Sequence, residues 1–212
     1  MHLVQIRGYA YDTFRQQRRM GPMNQTERKR QAVLDVTFRL LNDKPIKAIT
    51  IDEIAHDAGV SKVTVFKYFT SKNHLMNVVI THAFDAMLRQ IKDILDGDMG
   101  FVETYQAITT LKMDQVRRYT AVFQENMMTQ YSTSPDFFDA DALTMQNELY
   151  RHLMTKGRAE GYISPQVTDA DMQLILHVFT EGMKGVEASR LLESADFLTR
   201  FFLSGLRMDE SR

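Results

Sequence analysis

Apolar residues recur at helical spacing along most of the chain, and runs that alternate apolar with polar are scarce. After Asn24 the positions Val33, Val36, Thr37, Leu40 and Leu41 share one helical face, and Asn24 and Glu27 occupy the two positions of a capping box. This first helix should stop near Asn42-Asp43, ahead of Pro45. Thr50 and Glu53 form a second capping-box pair opening a short helix that must end by Gly59. Ser61 caps another short helix through Tyr68, and Ser71 caps a long one in which Leu75, Val79, Ala83, Met87, Ile91 and Ile94 repeat, reaching Leu95. Asp96-Gly97-Asp98 and Gly100 end it. Val102, Tyr105 and Ile108 mark a fifth helix, and Val116, Tyr119, Phe123 and Met127 a sixth, followed by a loop around Ser132 to Pro135. Phe138, Ala142, Met145, Leu149 and Leu153 predict a seventh. Gly157, Gly161 and Ser164-Pro165 punctuate the chain before Thr168 and Asp171 cap an eighth helix, and Leu191, Leu192, Ala195, Leu198, Phe202 and Leu206 stripe the last. No internal repeat is visible. The expected fold class is all-α.

Composition narrows what such a helical chain does. Its 212 residues allow one large or two small domains with a real core, and the formal net charge of −1 implies no global polybasic or polyacidic binding mode. The charge is uneven: residues 1–76 carry a formal +6, and the remainder −7. A basic front and an acidic back fit a nucleic-acid module joined to a domain that does not meet phosphates. Cysteine is absent, which removes thiol nucleophiles, Cys-ligated zinc and disulfides. Neither a secretory leader nor a membrane-spanning run stands out, so a cytoplasmic protein is expected.

The segment Thr50 to Phe69 meets the geometric needs of a helix-turn-helix unit. Ala55 is small where two helices cross, Gly59 permits the positive φ of a tight turn, and Ile54, Val60 and Val65 supply the core that sets the crossing angle. The helix after Ser61 presents Lys62, Val63, Thr64 and Lys67 from the half that enters a major groove. Lys62 and Lys67 are candidates for guanine acceptors, and Val63 and the Thr64 methyl for thymine methyl groups. Thr50, Tyr68 and Lys72 are candidates for phosphate oxygens, contacts that position the protein without specifying sequence. Two short capped helices in an ordinary bundle would not need this combination of offsets and basic charge.

From about Thr26 to Leu75 the chain resembles the DNA-binding domain of the TetR family of transcriptional regulators, above all in AGVSKVTVFKYFTSKNHL. Ala58-Gly59-Val60-Ser61, Thr64, Tyr68-Phe69, Ser71-Lys72 and Leu75 match the family pattern. Val63, Phe66, Asn73-His74 and Pro45 depart from its usual Gly or Ala, Tyr, acidic pair and Gly. Phe66 has no hydroxyl for the phosphate that the family tyrosine commonly reaches, leaving an apolar touch to sugar or thymine methyl. The resemblance implies a three-helix head over residues 24–75, and a homodimer that binds double-stranded DNA. It also implies that residues 76–212 form a helical bundle for effector binding and dimerisation, so that a small molecule would release a repressor from its operator.

The chain's own residues add to that implication. Met172, Ile175, Leu176, Phe179, Met183 and Val186 make one stripe and Leu174, Val178, Gly182 and Gly185 others, so this helix should be buried nearly all round. Glycine costs a helix interior about 1 kcal/mol relative to alanine, so Gly182 and Gly185 point to a close neighbouring helix. Phe179, Gly182, Gly185, Leu198 and Phe202 are the expected dimer contacts, in a four-helix arrangement with their symmetry mates. Tyr105, Tyr119, Phe123, Met127, Tyr150, Met154 and His177 are the expected lining of an apolar effector pocket.

Other chemistry finds little support. Glu53-x-x-His56 is one such motif where a di-iron bundle needs two, and Glu148 with His152 and His177 falls short of a convincing metal set. No Ser-His-Asp order, phosphate-binding Gly loop or His-Glu-x-x-His stands out, so no cofactor, no metal and no enzymatic activity are expected. Residues 1–23, with Arg7, Arg15, Arg18 and Arg19, read either as a basic arm for a minor groove or as disorder from an upstream start, with Met20 or Met23 the functional initiator. The rival function is a protein-interaction bundle with a vestigial DNA head.

Overall fold

The computed structural model describes residues 24–137 and 140–207, with the side chains of residues 140–146 outside that description. The possible arm at residues 1–23 and the apolar positions Phe138, Ala142 and Met145 therefore lie outside the described residues or side chains. Among the described residues there are ten α-helices, one 3-10 turn and no strand. They are α1 Gln25–Asp43, the turn Ile46–Ala48, α2 Ile51–Asp57, α3 Lys62–Tyr68, α4 Lys72–His82, α5 Asp85–Leu95, α6 Phe101–Arg117, α7 Ala121–Thr133, α8 Ala140–Ala159, α9 Asp169–Met183 and α10 Ala188–Gly205.

Local capping fixes most of the starts. Asn24 accepts from the Glu27 N–H while the Glu27 carboxylate accepts from the Asn24 N–H, and Thr168 and Asp171 repeat the device at α9. Ser61 and Ser71 accept from the N–H groups of Thr64 and His74. Thr50 accepts from the Glu53 N–H, but Glu53 does not close the box: its carboxylate pairs with Lys44 instead.

Three boundaries differ from expectation. The helix expected to run unbroken to Leu95 stops at His82, where the Phe84 N–H bonds the Thr81 carbonyl at 2.9 Å and the ladder tightens, and α5 begins at Asp85. The sixth predicted helix begins at Ala121, not near Val116, because Thr120 caps it by accepting from the Phe123 N–H. Gly157 lies inside α8 rather than in a turn. A Cβ there would come within 2.7 Å of Ile163 and 2.8 Å of Phe101, so close approach requires glycine at that place.

The chain divides into two compact units that do not follow sequence order. One takes the described residues through Ala86 together with those from Val116 to the loop before α8, and the other takes Met87–Gln115 and α8 onward. In the first, α1 packs on α7, α4 and α2, and α2 on α3. Its core joins Val33, Leu34, Phe38 and Leu41 of α1 to Ile54, Val65, Phe69, Leu75 and Val79, and to Tyr119 and Phe123 from far along the chain. Phe38, Tyr119 and Phe123 pack ring to ring, at centroid distances of 4.6 to 6.1 Å. In the second unit Tyr162, Phe101, Tyr105, Phe202 and Phe179 form a continuous series of ring contacts.

Candidate nucleic-acid interface

The reading element is built from the turn upward. Gly59 adopts φ +64°, the left-handed conformation that ends α2, and the Gly59 and Val60 N–H groups bond the carbonyls of His56 and Ala55 at 3.1 and 3.0 Å. Nothing lies within 4 Å of a Cβ placed on Gly59, so the backbone, not crowding, selects glycine. Ile54, Ala55 and Val65 are buried beneath the crossing and Val60 packs at its edge. Arg39 of α1 bonds Asp57 at 2.5 Å, and hydrogen bonds from His56 and Arg39 hold that carboxyl below its ordinary pKa.

This core aims α3 outward. Val63 is 78% exposed and Phe66 48%, two large apolar side chains one turn apart on a helix whose other exposed residues include Lys62 and Lys67. Lys62 pairs with Asp52 of α2. Thr64 is half-buried, with its hydroxyl 2.9 Å from that of Ser61. Tyr68 is half-buried beside Phe69. Thr50 and Ser61 both spend a lone pair on their caps and stay exposed at helix starts.

Lys72 has a second duty. Its ammonium donates to the Ile46 carbonyl at 2.9 Å, and burial pulls its pKa below the ordinary lysine value. It therefore ties the start of α4 to the turn that precedes α2, whatever else it meets. Thr120, Asn126 and Gln130 went unnoticed in the sequence, although all three reach back into this head from α7 and its cap. The available signal was two pairs of amide side chains four apart, Asn73/Asn77 and Asn126/Gln130, of which Asn77, Asn126 and Gln130 are buried.

The other predicted sites are placed as follows. Tyr119, Phe123 and Met127 belong to the first unit, where Tyr119 and Phe123 fill its core and Met127 packs against it. Tyr105, Tyr150, Met154 and His177 belong to the second, so the seven expected pocket residues do not form one set within either unit. Tyr105 stacks on Phe202 at 5.1 Å, and burial together with the Tyr150 phenol pushes its pKa up. His177 is exposed.

Around α9 the picture also changes. Leu174 and Val178 are exposed, so the helix is not buried all round within this chain. It ends at Met183, and Gly185 lies beyond it with φ +80°, a turn glycine and not an interior one. Neither Gly182 nor Gly185 has a neighbour within 4 Å of an added Cβ. Phe202 is buried in its own unit and Phe179 and Leu198 are half-buried. The outward apolar positions of α9 and α10 are Leu174, Val178, Phe197 and Phe201.

A two-helix crossing closed by a positive-φ glycine, with basic and apolar side chains on the outward face of its second helix, defines a helix-turn-helix DNA-binding protein. Residues 33–79 match the family of bacterial regulatory proteins described as tetR family. The HTH-type transcriptional repressor KstR2 of Mycobacterium tuberculosis is 21% identical over 154 residues, 71% of this chain and 76% of that protein. The uncharacterized HTH-type transcriptional regulator YvdT of Bacillus subtilis is 31% identical over 77 residues, 36% of this chain and 40% of its own. Among solved structures, FadR of Bacillus subtilis in complex with stearoyl-CoA is similar in fold, with TM-score 0.56 at 12% identity over 82% of this chain and 98% of that one. The ketosteroid transcriptional regulator KstR2 of Mycobacterium tuberculosis gives 0.51 at 17% identity, over 90% and 100%. Over residues 33–79 the chain matches the TetR-family DNA-binding domain, and together with its relatives this supports a DNA-binding transcriptional regulator. Among the described residues no helix is long and apolar enough to cross a membrane.

Proposed function

We propose that this regulator is a cytoplasmic, homodimeric repressor that reads an inverted-repeat operator and is released from it by a small-molecule effector with a large apolar part. The carrying observation is the outward face of α3, where Lys62, Val63, Phe66 and Lys67 stand exposed beside one another on a helix fixed by the Gly59 turn. Residues 24–75 act as the reading head and residues 76–212 supply effector binding and dimerisation. In the head, Lys62, Val63, Thr64, Phe66 and Lys67 meet base edges or sugars, and Thr50, Ser61, Tyr68 and Lys72 serve the phosphate backbone. One short helix binds weakly alone. Two half-sites about 34 Å apart on one DNA face add their binding energies, which favours a dimer.

Leu174 and Val178 on α9 with Phe197 and Phe201 on α10 support dimerisation through these two helices, with Gly182 exposed between them and a partner and Gly185 at the end of α9. Phe179, Leu198 and Phe202 support that face from behind. Two similar proteins support an effector with a large apolar part: KstR2 is named a ketosteroid regulator, and FadR is seen with stearoyl-CoA, whose acyl chain is apolar although its coenzyme A is charged. Tyr105, Tyr150 and Met154 in the second unit are the proposed effector contacts. Effector binding favours one separation of the two heads over another, and linkage weakens DNA binding by the difference in affinity.

The test is selection of bound sequences from random double-stranded DNA with the full-length chain at two salt concentrations. An inverted repeat is expected at both. Salt-sensitive binding with no enriched motif would overturn the reading.

A further inference from the structure

The side chain of Asn126 is buried, and each of its polar atoms is spent on a single short stretch of backbone in the head. Its Oδ1 accepts from the Ile46 N–H at 2.7 Å, and its Nδ2 donates to the carbonyls of Leu41 at 2.8 Å and Lys44 at 3.0 Å. The last turn of α1 would otherwise leave carbonyls without helical partners in a buried place. The Ile46 carbonyl, on the other side of the same residue, accepts from Lys72 of α4. Ile46 is thus held from α7 and from α4 at once, and only Lys47 to Ile49 separate it from Thr50, the cap of α2.

Further polar contacts run from α7 and its cap to the same unit. Thr120 donates to the Asn42 carbonyl at 2.9 Å, and Gln130 donates to the side-chain oxygens of Asn73 at 2.5 Å and Asn77 at 2.8 Å. Ser134 accepts from both of those asparagines at 2.8 Å. Apolar contacts lack direction and tolerate sliding. An amide that matches two carbonyls and one N–H has a single register, and a satisfied buried network of this kind specifies one arrangement.

We propose that Asn126 is a positioning residue for DNA recognition: it seats the Lys44–Ala48 turn, and through that turn aims α2 and α3, while adding nothing to the DNA-facing surface itself. The proposal rests on the sequence-reading function above. It predicts that disturbing Asn126 harms operator recognition more than it harms general attraction to phosphates, because the basic groups remain on the surface while their register with the groove is lost.

The experiment compares full-length protein with Asn126→Asp, Asn126→Ser and Thr120→Val, on the selected operator and on a scrambled duplex at one salt concentration. Asp keeps the acceptor for the Ile46 N–H but sets an oxygen against two carbonyls, and Ser cannot span all three partners. Val at position 120 removes the cap of α7 and the bond to Asn42 but leaves the grip on Ile46, so it reports general destabilisation. Both Asn126 variants should lower operator affinity by about tenfold or more and leave scrambled-duplex affinity within about twofold, whereas Thr120→Val should leave the ratio of the two within about twofold. Equal loss on both duplexes, or the same fall in ratio from Thr120→Val, would overturn the positioning role. Amide exchange of the unsubstituted protein is a check that needs no variant: the Ile46 N–H should be protected, and exchange at an open-loop rate would overturn it. Absence of any selected operator for the unsubstituted protein would instead overturn sequence reading itself.

Discussion

The Tyr119 hydroxyl donates a 2.7 Å hydrogen bond to the Ala83 carbonyl, at the place where α4 stops and before α5 starts. Tyr119 lies in the short link between α6 and α7, so a residue 36 positions downstream takes up a carbonyl that an unbroken helix would have used internally. His82 and Asp85, whose side chains meet at 2.5 Å, close the same turn from within, and Asp85 stands in the first turn of α5 where a carboxylate suits the helix dipole. The ring of Tyr119 packs on Phe38, Phe84 and Phe123, so one residue serves both the head's core and the helix break.

Tyr119→Phe keeps the ring and removes the donor. Losing this buried hydrogen bond should cost about 1 kcal/mol, read as a lower urea midpoint with unchanged slope. Amide exchange should quicken in residues 82–85 more than in α1. An unchanged midpoint would mean that the Ala83 carbonyl finds an equivalent partner.

This break also shows why some of the fold could be read in advance and some could not. Caps at Asn24, Thr50, Ser61, Ser71 and Thr168 depend on a side chain and an N–H three residues away, so they are written locally. Gly59 is legible for the same reason: its turn is closed by its immediate neighbours. The outward face of α3 follows from those two features and the burial of Val65. The end of α4 depends on Tyr119, and the place of Gly157 on Ile163 and Phe101, partners that periodicity cannot name. Phe197, Phe201 and Phe202 are adjacent or one turn apart, yet the first two face out and the third in. Composition could not sort them, because every one is apolar and only the ring contacts of Phe202 with Tyr105 and Phe179 decide.

Gly59→Ala tests the turn. The added methyl meets nothing within 4 Å, so the penalty is conformational: an L-residue held at φ +64° costs about 1–2 kcal/mol. Thermal unfolding should shift down by several degrees while far-ultraviolet circular dichroism keeps its helical signature. A stability equal to that of the parent protein would require the turn to relax out of the left-handed region, which should then appear as a loss of operator affinity.

Lys67 and Lys72 should separate specificity from affinity. Lys67 is exposed on α3, and Lys67→Ala should alter preference at particular base pairs of the selected operator. Lys72→Ala should weaken binding to every sequence and lower the salt slope by about 1, with reduced stability and a further loss on the operator because the Ile46 carbonyl loses its donor. Uniform loss from Lys67→Ala, measured by titration on a panel of single-base operator variants, would assign it to phosphate and not to a base.

Val63 and Phe66 make a sharper claim about the operator. Exposed apolar side chains on a groove-entering helix gain most from thymine methyl groups, so replacing single thymines by uracil should weaken binding at one or two positions per half-site, roughly 1 kcal/mol each. Val63→Ala should abolish the thymine-over-uracil preference at its own position and leave the other intact. Equal affinity for the all-uracil operator would show that these side chains face sugar or solvent.

The proposed dimer makes a testable claim about Leu174 and Val178 on α9 and Phe197 and Phe201 on α10. Each of these residues is about 60% exposed, and Phe197 and Phe201 stack on one another at 6.1 Å, so both helices present apolar surface outward. A charged residue in the middle of such a face would be desolvated without a partner on association, a cost of several kcal/mol that a two-fold interface incurs twice. Phe197→Glu, with Val178→Glu as an independent second site, should therefore yield monomers by light scattering at concentrations where the unsubstituted protein is a dimer. Because both positions are exposed in the single chain, unfolding midpoints extrapolated to monomer should change little. Operator affinity should fall towards that of one head on one half-site, while affinity for an isolated half-site stays near the parent value. Retention of the dimer in both variants would move the interface to another surface, and loss of half-site binding as well would mean that the head depends on this face for more than pairing.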